Sequence, residues 1–329
     1  MPSNQLLVYY LLSFILLFVL MNVYLKIAIH YNIIDKPNER SSHTTLTIRG
    51  GGIIFSLAML LYFLSNQFAY PFFIVGVLMM ATVGFFDDVN PLSNKTRLFV
   101  HFTASLLLIY QSAIYQYSFL LIPFLLVFIV ASLNSYNFMD GINGITAFYS
   151  LSIFLLLYYL NYSIKFIDPA LLVFCGFSLI IFTFYNARKK ATCFAGDTGS
   201  LAIGFILFFI TLSLIQQTGN PFYALFFTVY GLDTSITLIY RLISKENIYK
   251  AHRTHLYQYL ANEAGINHLK VSAAFAISQL CIGILIIYFS QFSFSDQIFS
   301  SSIILIAAAL LYYAIRRYVF HRFVVKHVV

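Results

Sequence analysis

The chain contains no tryptophan, three cysteines and seven prolines, and only 9% of its 329 residues are charged. Soluble domains carry roughly 25% charged residues, so an ordinary water-soluble globule is excluded. The three cysteines, Cys175, Cys193 and Cys281, have neither metal nor disulfide spacing and read as bystanders. Without tryptophan, anchoring at the lipid headgroups falls to the 25 tyrosines. No Pro/Gly/Ser linker, repeat or low-complexity tract divides the chain, so residues 1–329 are expected to form one membrane domain.

Hydrophobic residues fill 60% of positions and the mean hydropathy is +0.85. A span needs about 20 apolar residues, and runs of that kind occur about eleven times: roughly 5–29, 51–66, 71–86, 98–115, 118–134, 144–161, 168–186, 199–217, 221–242, 271–291 and 298–316. The first run is too long for the apolar region of a signal peptide and lacks a basic flank before it, so it is expected to be retained. The fold class predicted is all-α, a polytopic integral membrane protein of about 10–11 transmembrane helices. With the N-terminus outside and the C-terminus cytoplasmic, all of the 19 Lys and Arg residues except Lys165 fall on the cytoplasmic side. That asymmetry sets the orientation and accounts for the formal charge of +8, leaving no soluble basic face for nucleic acid.

All eleven acidic residues except Asp168 and Asp296 fall on the cytoplasmic side as well, although topology demands little of carboxylates. At a bilayer centre each would cost ~3 kcal/mol, so carboxylates at span ends mark a wet site. Eight lie in five loops, about 30–50, 84–97, 134–144, 186–200 and 241–270, and the ninth, Asp233, stands with Arg241 near the span end that leads into the fifth. The first holds Asp35, Arg40, His43 and Arg49-Gly50-Gly51-Gly52, where glycines let backbone N–H groups approach an anion and Arg40 offers a fork for phosphate. The second ends an apolar run on Asp87-Asp88 and continues to Arg97; successive helical residues point ~100° apart, so one carboxylate can face a site while the other meets a cation or the next helix.

In the third loop Asn134 and Asn137 share a helix face ahead of Asp140-Gly141-Ile142-Asn143-Gly144. Oxygen donors of mixed charge suit Mg2+, which takes one or two protein carboxylates beside substrate phosphates. The fourth, Arg188-Lys189-Lys190 through Phe194-Ala195-Gly196-Asp197, places one carboxylate in a glycine-flanked turn at a helix start, which offers N–H groups to phosphate. An N-capping Asp in a tight turn explains that local sequence equally well. The fifth carries His252, Arg253 and His255, with both histidines on one helix face, an arrangement suited to a pyrophosphate. Zinc is disfavoured there because no cysteine supports it.

Taken in order from Asp35 to Gln258, the five loops resemble the polyprenyl-phosphate N-acetylhexosamine-1-phosphate transferase superfamily, glycosyltransferase family 4. The stretch Ala251-His252-Arg253-Thr254-His255-Leu256-Tyr257-Gln258 is most similar to bacterial enzymes that act on undecaprenyl phosphate. The resemblance implies Asp87 and Asp88 as the catalytic aspartate pair, Arg97 as the downstream basic residue that meets phosphates, and His252, Arg253 and His255 as the motif gripping pyrophosphate and sugar. It implies Asn137 and Asp197 as ligands of Mg2+, for which Mn2+ can substitute, and Asp140 and Asn143 in the nucleotide-binding loop with Asn134 beside them. Arg40 and His43 match the first-loop signature. Bacterial relatives usually carry Asp where Asn143 stands, and Pro is common where Lys190 stands.

The activity implied is transfer of an N-acetylhexosamine 1-phosphate, GlcNAc 1-phosphate foremost, from a UDP-sugar to undecaprenyl phosphate with release of UMP. Such a reaction initiates a lipid-linked cell-surface polysaccharide such as O-antigen. The implied partners are UDP-N-acetylhexosamine, undecaprenyl phosphate, the lipid bilayer and a second copy of the chain as a homodimer; the implied location is the bacterial inner membrane. The competing expectation is a transporter or flippase of polyprenyl-linked sugars, which would place ionisable groups at mid-membrane rather than gather them at one face. A lipid-binding scaffold needs basic loops alone and leaves the carboxylates without a purpose.

Overall fold

The computed structural model describes residues 3–35, 46–247 and 252–324. In chain order its elements are α1 (Ser3–His30), β1 (Ile34–Asp35), β2 (Thr47–Ile48), α2 (Ile53–Ser65), α3 (Pro71–Val89), α4 (Asn94–Gln111) and α5 (Ile122–Met139). There follow α6 (Ile145–Ile164), α7 (Pro169–Asn186), α8 (Gly196–Thr218), α9 (Thr228–Ile243), the single turn α10 (Leu256–Gln258), α11 (His268–Phe289) and α12 (Phe294–Val319). The all-α polytopic class expected from hydropathy is what forms. Proline sets several starts: Pro71 and Pro169 open α3 and α7, Pro123 lies in the first turn of α5, and Pro221 opens a 3₁₀ segment ahead of α9. A fixed φ and a missing N–H fit the first turn, where the donor has no partner within the helix.

Each of the eleven apolar runs contains a helix, but among the described residues nine segments are long and apolar enough to cross a membrane. The second run shortens to the 13 residues of α2, because Gly50, Gly51 and Gly52 are spent on a turn rather than a helix. The fourth becomes α4, which starts earlier than expected and takes Lys95, Arg97 and His101 into its first half.

At the centre stands α8, in which every residue from Thr198 to Leu212 is buried. Helices surround it, so it has no polar face to turn outward. Phe73 and Phe209 stack at 4.1 Å and Phe208 and Phe227 at 3.9 Å, tying α3 and the 221–227 segment to it. Near its start, α3 comes close enough that a Cβ on Gly84 would lie 2.5 Å from the Asp197 carbonyl carbon. Small residues permit such approach where lipid supplies no driving force for helix association.

The helix ends form two polar layers. At one end Tyr62 donates to Asp168 (2.7 Å), Tyr117 to the Gln216 carbonyl (2.8 Å) and Asn220 to Gln297 (2.8 Å). The other end holds the described parts of the five loops. There β1 and β2 pair antiparallel, Ile34 opposite Ile48, and Ile48 also bridges Cys193. The first and fourth loops are thereby woven together beneath α1.

Candidate active site

The site grows from the aspartate pair at the end of α3. Asp88 turns inward, its side chain 2% exposed, and accepts from Asp197 N (3.0 Å), Thr198 N (3.0 Å) and Thr198 Oγ1 (2.8 Å). It is therefore the anion that occupies the N-terminus of α8, where unpaired N–H groups and the helix dipole favour negative charge. The phosphate expected at that turn meets a position already filled by a side chain. The glycine turn differs in the same way: Gly51 N donates to the Phe194 carbonyl (2.8 Å) and Gly52 N to the Ala195 carbonyl (3.2 Å). A Cβ on Gly52 would lie 2.2 Å from Gly199 Cα, so these glycines serve close packing rather than anion approach.

Asp87 points the other way. It accepts from Leu92 N (2.7 Å) and pairs with Arg97 (3.1 Å), and Arg97 also reaches Asp197 (3.4 Å). Arg49 lies 3.1 Å from Asp35 and 3.8 Å from Asp88. Two guanidinium groups thus lie among four carboxylates at one end of the bundle, with the contacts to Asp35 and Asp87 the shorter ones at 3.1 Å.

Asp88, Asn137, Asp140, Asn143, Gly196, Asp197 and Arg49 line a central cavity of about 190 Å³. Asn137, on the last turn of α5, accepts from Ser200 (2.8 Å), one turn after Asp197 on α8. The two predicted metal ligands consequently face one space. Asp140 accepts from Thr146 Oγ1 (2.5 Å). Burial pushes its carboxyl up to about 7, with Asp88 adding to the shift and the Thr146 hydroxyl opposing it. No group of three or more His, Cys, Asp or Glu residues is arranged as a metal cage among the described residues. The oxygen-only donors Asn137, Asp140 and Asp197 fit a hard cation that completes its shell with water and phosphate. Burial pushes the Cys193 thiol up to about 12, so it stays protonated behind the glycine turn.

A second cavity, about 560 Å³, adjoins the first at Gln258 and is lined by Asn94, Arg97, Leu98, His101, Asn134, Phe138, Leu238, Arg241, His252 and His255 among others. Its walls are mostly apolar, with Arg97 and the buried Arg241 among them. Asn134 lies here, bonded back to the Val130 carbonyl (2.8 Å), and not with Asn137 in the central cavity. A third, about 370 Å³, meets the centre at Asn143, Phe194 and His268 and is lined by Arg188, Lys189 and Lys190.

The two histidines do not share a helix face. They precede α10 in non-helical backbone, with ring centroids 5.0 Å apart. His255 is buried and its Nδ1 meets Asp233 Oδ1 at 2.8 Å. Burial, then His255 and Arg241, push the His252 imidazole down to about 4, which leaves it neutral at pH 7. Arg253 lies between them in the chain and lines neither cavity. Arg40 and His43 lie outside the described residues.

Asp233, Arg49, Thr198 and Ser200 stand in the polar stretches without an assigned role, and the structure brings them into the site. A carboxylate within the apolar run at 221–242, ten residues before the end of α9, was the available sign for Asp233. Thr198 and Ser200 gave none beyond their place beside Asp197.

Comparison with known proteins bears on the same residues. The family model described as glycosyl transferase family 4 matches residues 70–215, from α3 through most of α8. The probable undecaprenyl-phosphate N-acetylglucosaminyl 1-phosphate transferase of Bacillus subtilis (strain 168) is 22% identical over 314 residues, covering 88% of this chain and 83% of that protein. The undecaprenyl-phosphate alpha-N-acetylglucosaminyl 1-phosphate transferase of Yersinia pestis is 26% identical, covering 74% of this chain and 72% of its own length. A phospho-N-acetylmuramoyl-pentapeptide-transferase of Staphylococcus epidermidis (strain RP62A) is 28% identical over 47% of this chain and 49% of its own length. The matched segment contains the aspartate pair, Arg97, Asn137, Asp140, Asn143 and Asp197, and the family model and these relatives together support glycosyl transferase family 4, the superfamily of polyprenyl-phosphate hexosamine-1-phosphate transferases.

Proposed function

We propose that this multi-pass membrane protein transfers an N-acetylhexosamine 1-phosphate, GlcNAc 1-phosphate foremost, from a UDP-sugar to undecaprenyl phosphate and releases UMP. The observation that carries the proposal is the central cavity, where oxygen donors of α5, the 140–143 loop and α8 converge between a basic cavity and an apolar one. Such a layout suits a nucleoside diphosphate entering from one side and a lipid phosphate from the other. The orientation that fits the basic loops puts this end in the cytoplasm of a bacterial inner membrane, with the N-terminus outside. The product would begin a lipid-linked surface polysaccharide.

In the reaction an oxygen of the lipid phosphate forms a bond to the β-phosphorus of the donor. The bond from that phosphorus to the bridging oxygen breaks, and UMP leaves with the oxygen and its electron pair. One anhydride replaces a phosphomonoester while another is consumed, so the protein's work is positioning and charge neutralisation. Asn137 and Asp197 would hold Mg2+, or Mn2+ in its place, which when bound supplies neutralisation between the two phosphates. Arg97 lines the apolar cavity and reaches Asp197, so it directs its remaining N–H groups at an incoming phosphate. A phosphomonoester with a second pKa near ~6 is mostly dianionic at neutral pH. Asp87, lining neither cavity, therefore orients Arg97 rather than removing a proton. Neutral His252 and the Asp233-held His255 line the same cavity as Arg97 and would donate hydrogen bonds to a phosphate bound there.

The test is incubation of the purified protein with a panel of UDP-sugars, undecaprenyl phosphate and Mg2+, with UMP and the lipid product followed by mass. A pyrophosphoryl-linked sugar lipid formed together with UMP, lost on chelation, is expected. Release of no UMP with any donor, or turnover indifferent to chelation, overturns the proposal.

A further inference from the structure

Counted in the sequence, the basic residues at the end of α12 serve topology, yet Arg316 is buried while its neighbour Arg317 is exposed. A buried guanidinium is costly unless its donors and its charge are both met. Arg316 Nη1 reaches the Thr254 carbonyl (2.7 Å), Thr237 Oγ1 on α9 (3.0 Å) and Tyr312 Oη (3.4 Å). Its guanidinium carbon lies 4.9 Å from the Tyr240 ring centroid and 5.3 Å from that of Tyr259, within cation–π range.

The charge is met one step further on. Thr237 Oγ1 donates to Asp233 Oδ1 (3.3 Å), which lies 2.8 Å from His255 Nδ1 and accepts from Leu256 N (3.2 Å). Asp233, Thr237 and His255 are all buried. A hydroxyl that accepts from a guanidinium turns its own proton to the next acceptor, so Arg316, Thr237, Asp233 and His255 form one polarised chain from α12 through α9 to the fifth loop. A carboxylate has no proton to give, so Nδ1 carries the ring hydrogen and Nε2 is the nitrogen left for the cavity that His255 lines. A second branch runs through the main chain: Thr254, whose carbonyl Arg316 holds, has its hydroxyl 2.9 Å from His252 Nδ1.

On the transferase reading above, we infer that Arg316 is a positioning residue of the active site, which orients His255 through Thr237 and Asp233, and His252 through Thr254, toward the reacting phosphates. It touches no substrate itself, and it lies outside residues 70–215 matched by the family model. Removing the guanidinium leaves a buried hydroxyl without its donor and a buried carboxylate without its cation. Those penalties correspond to about tenfold or more in the population of the held arrangement.

Full-length protein carrying Arg316→Met, Asp233→Asn, both together, or Arg317→Met as the exposed control tests this by kcat for UMP release at saturating substrates and by thermal unfolding. Arg316→Met is expected to lose about tenfold or more in kcat, and Arg317→Met to stay within about twofold of wild type. The double variant should fall no more than about threefold below the worse single one, whereas two independent structural defects would multiply to about a hundredfold. A kcat for Arg316→Met within about twofold of wild type overturns the inference, as does a double variant whose loss is the product of the single losses. If Arg316→Met yields no folded protein, Thr237→Val carries the test, because it removes the linking hydroxyl from a side chain of the same shape; unaltered kcat there overturns the inference. Should the wild type release no UMP, the melting shifts of the same proteins decide: non-additive shifts sustain the link from Arg316 to Asp233 and remove the transferase reading instead, and additive shifts remove the link.

Discussion

Replacing Asp88 by asparagine should damage the fold and the site together, unlike the same change one residue earlier. The Asp88 carboxylate takes three hydrogen bonds from the first turn of α8, at 3.0, 3.0 and 2.8 Å, and is almost wholly buried. In Asp88→Asn the amide oxygen can keep the two Thr198 bonds, but the NH2 then confronts the Asp197 N–H. One charge-assisted bond is lost, about 1.5–3 kcal/mol, and the helix loses its counter-anion, about 0.3–1 kcal/mol. A destabilisation of about 2–4 kcal/mol follows, with Asp197 displaced from the central cavity. Asp87→Asn keeps the Leu92 bond and gives up the pairing with Arg97, on a side chain 12% exposed, at a cost of about 1 kcal/mol. Thermal unfolding in detergent should separate them, Asp88→Asn melting on the order of 5 °C below wild type and Asp87→Asn close to it, while both lose UMP release. An Asp88→Asn protein as stable as wild type, or less affected than Asp87→Asn, would refute the capping role.

Gly84→Ala puts a Cβ 2.5 Å from the Asp197 backbone and forces α3 from α8, so a loss of about 1–3 kcal/mol and of most turnover is expected; unchanged melting and kcat would contradict that approach. The Asp140 carboxyl, raised from 3.8 to about 7 mainly by burial, keeps its proton in the folded state where the unfolded chain has lost it. The folded state then binds more protons, so stability falls as pH rises through that window and levels off above about 7; Asp140→Asn should flatten the melting temperature across it, and equal slopes would count against the shift. Asp233, with no exposure, holds the His255 ring nitrogen at 2.8 Å and Leu256 N at 3.2 Å. Asp233→Asn is expected to lower kcat about tenfold or more, and unaltered kcat would remove Asp233 from the site.

Much of this molecule was legible in one dimension because lipid is a severe solvent. Every backbone group must be satisfied within a span, so apolar length alone located the helices, and prolines and glycines marked many of their ends. The cost of placing carboxylates near hydrocarbon likewise made Asp87, Asp88, Asp140 and Asp197 stand out before any geometry was known. What the chain order could not disclose was division of labour among like residues. Asp87 and Asp88 are chemically identical, and only the approach of α3 to α8 gives one a helix terminus and the other an arginine. Asn134 and Asn137 were grouped by helical spacing, yet the packing of α8 draws Asn137 to Ser200 and leaves Asn134 in the neighbouring cavity. The glycine turn was read as an anion cradle, but its N–H groups are taken by carbonyls from nearly 150 residues away in sequence, such as Phe194. Composition and hydropathy are properties of each residue against its solvent, and these a sequence determines. Which donor meets which acceptor depends on the separation of distant segments, and that is decided only when the helices pack.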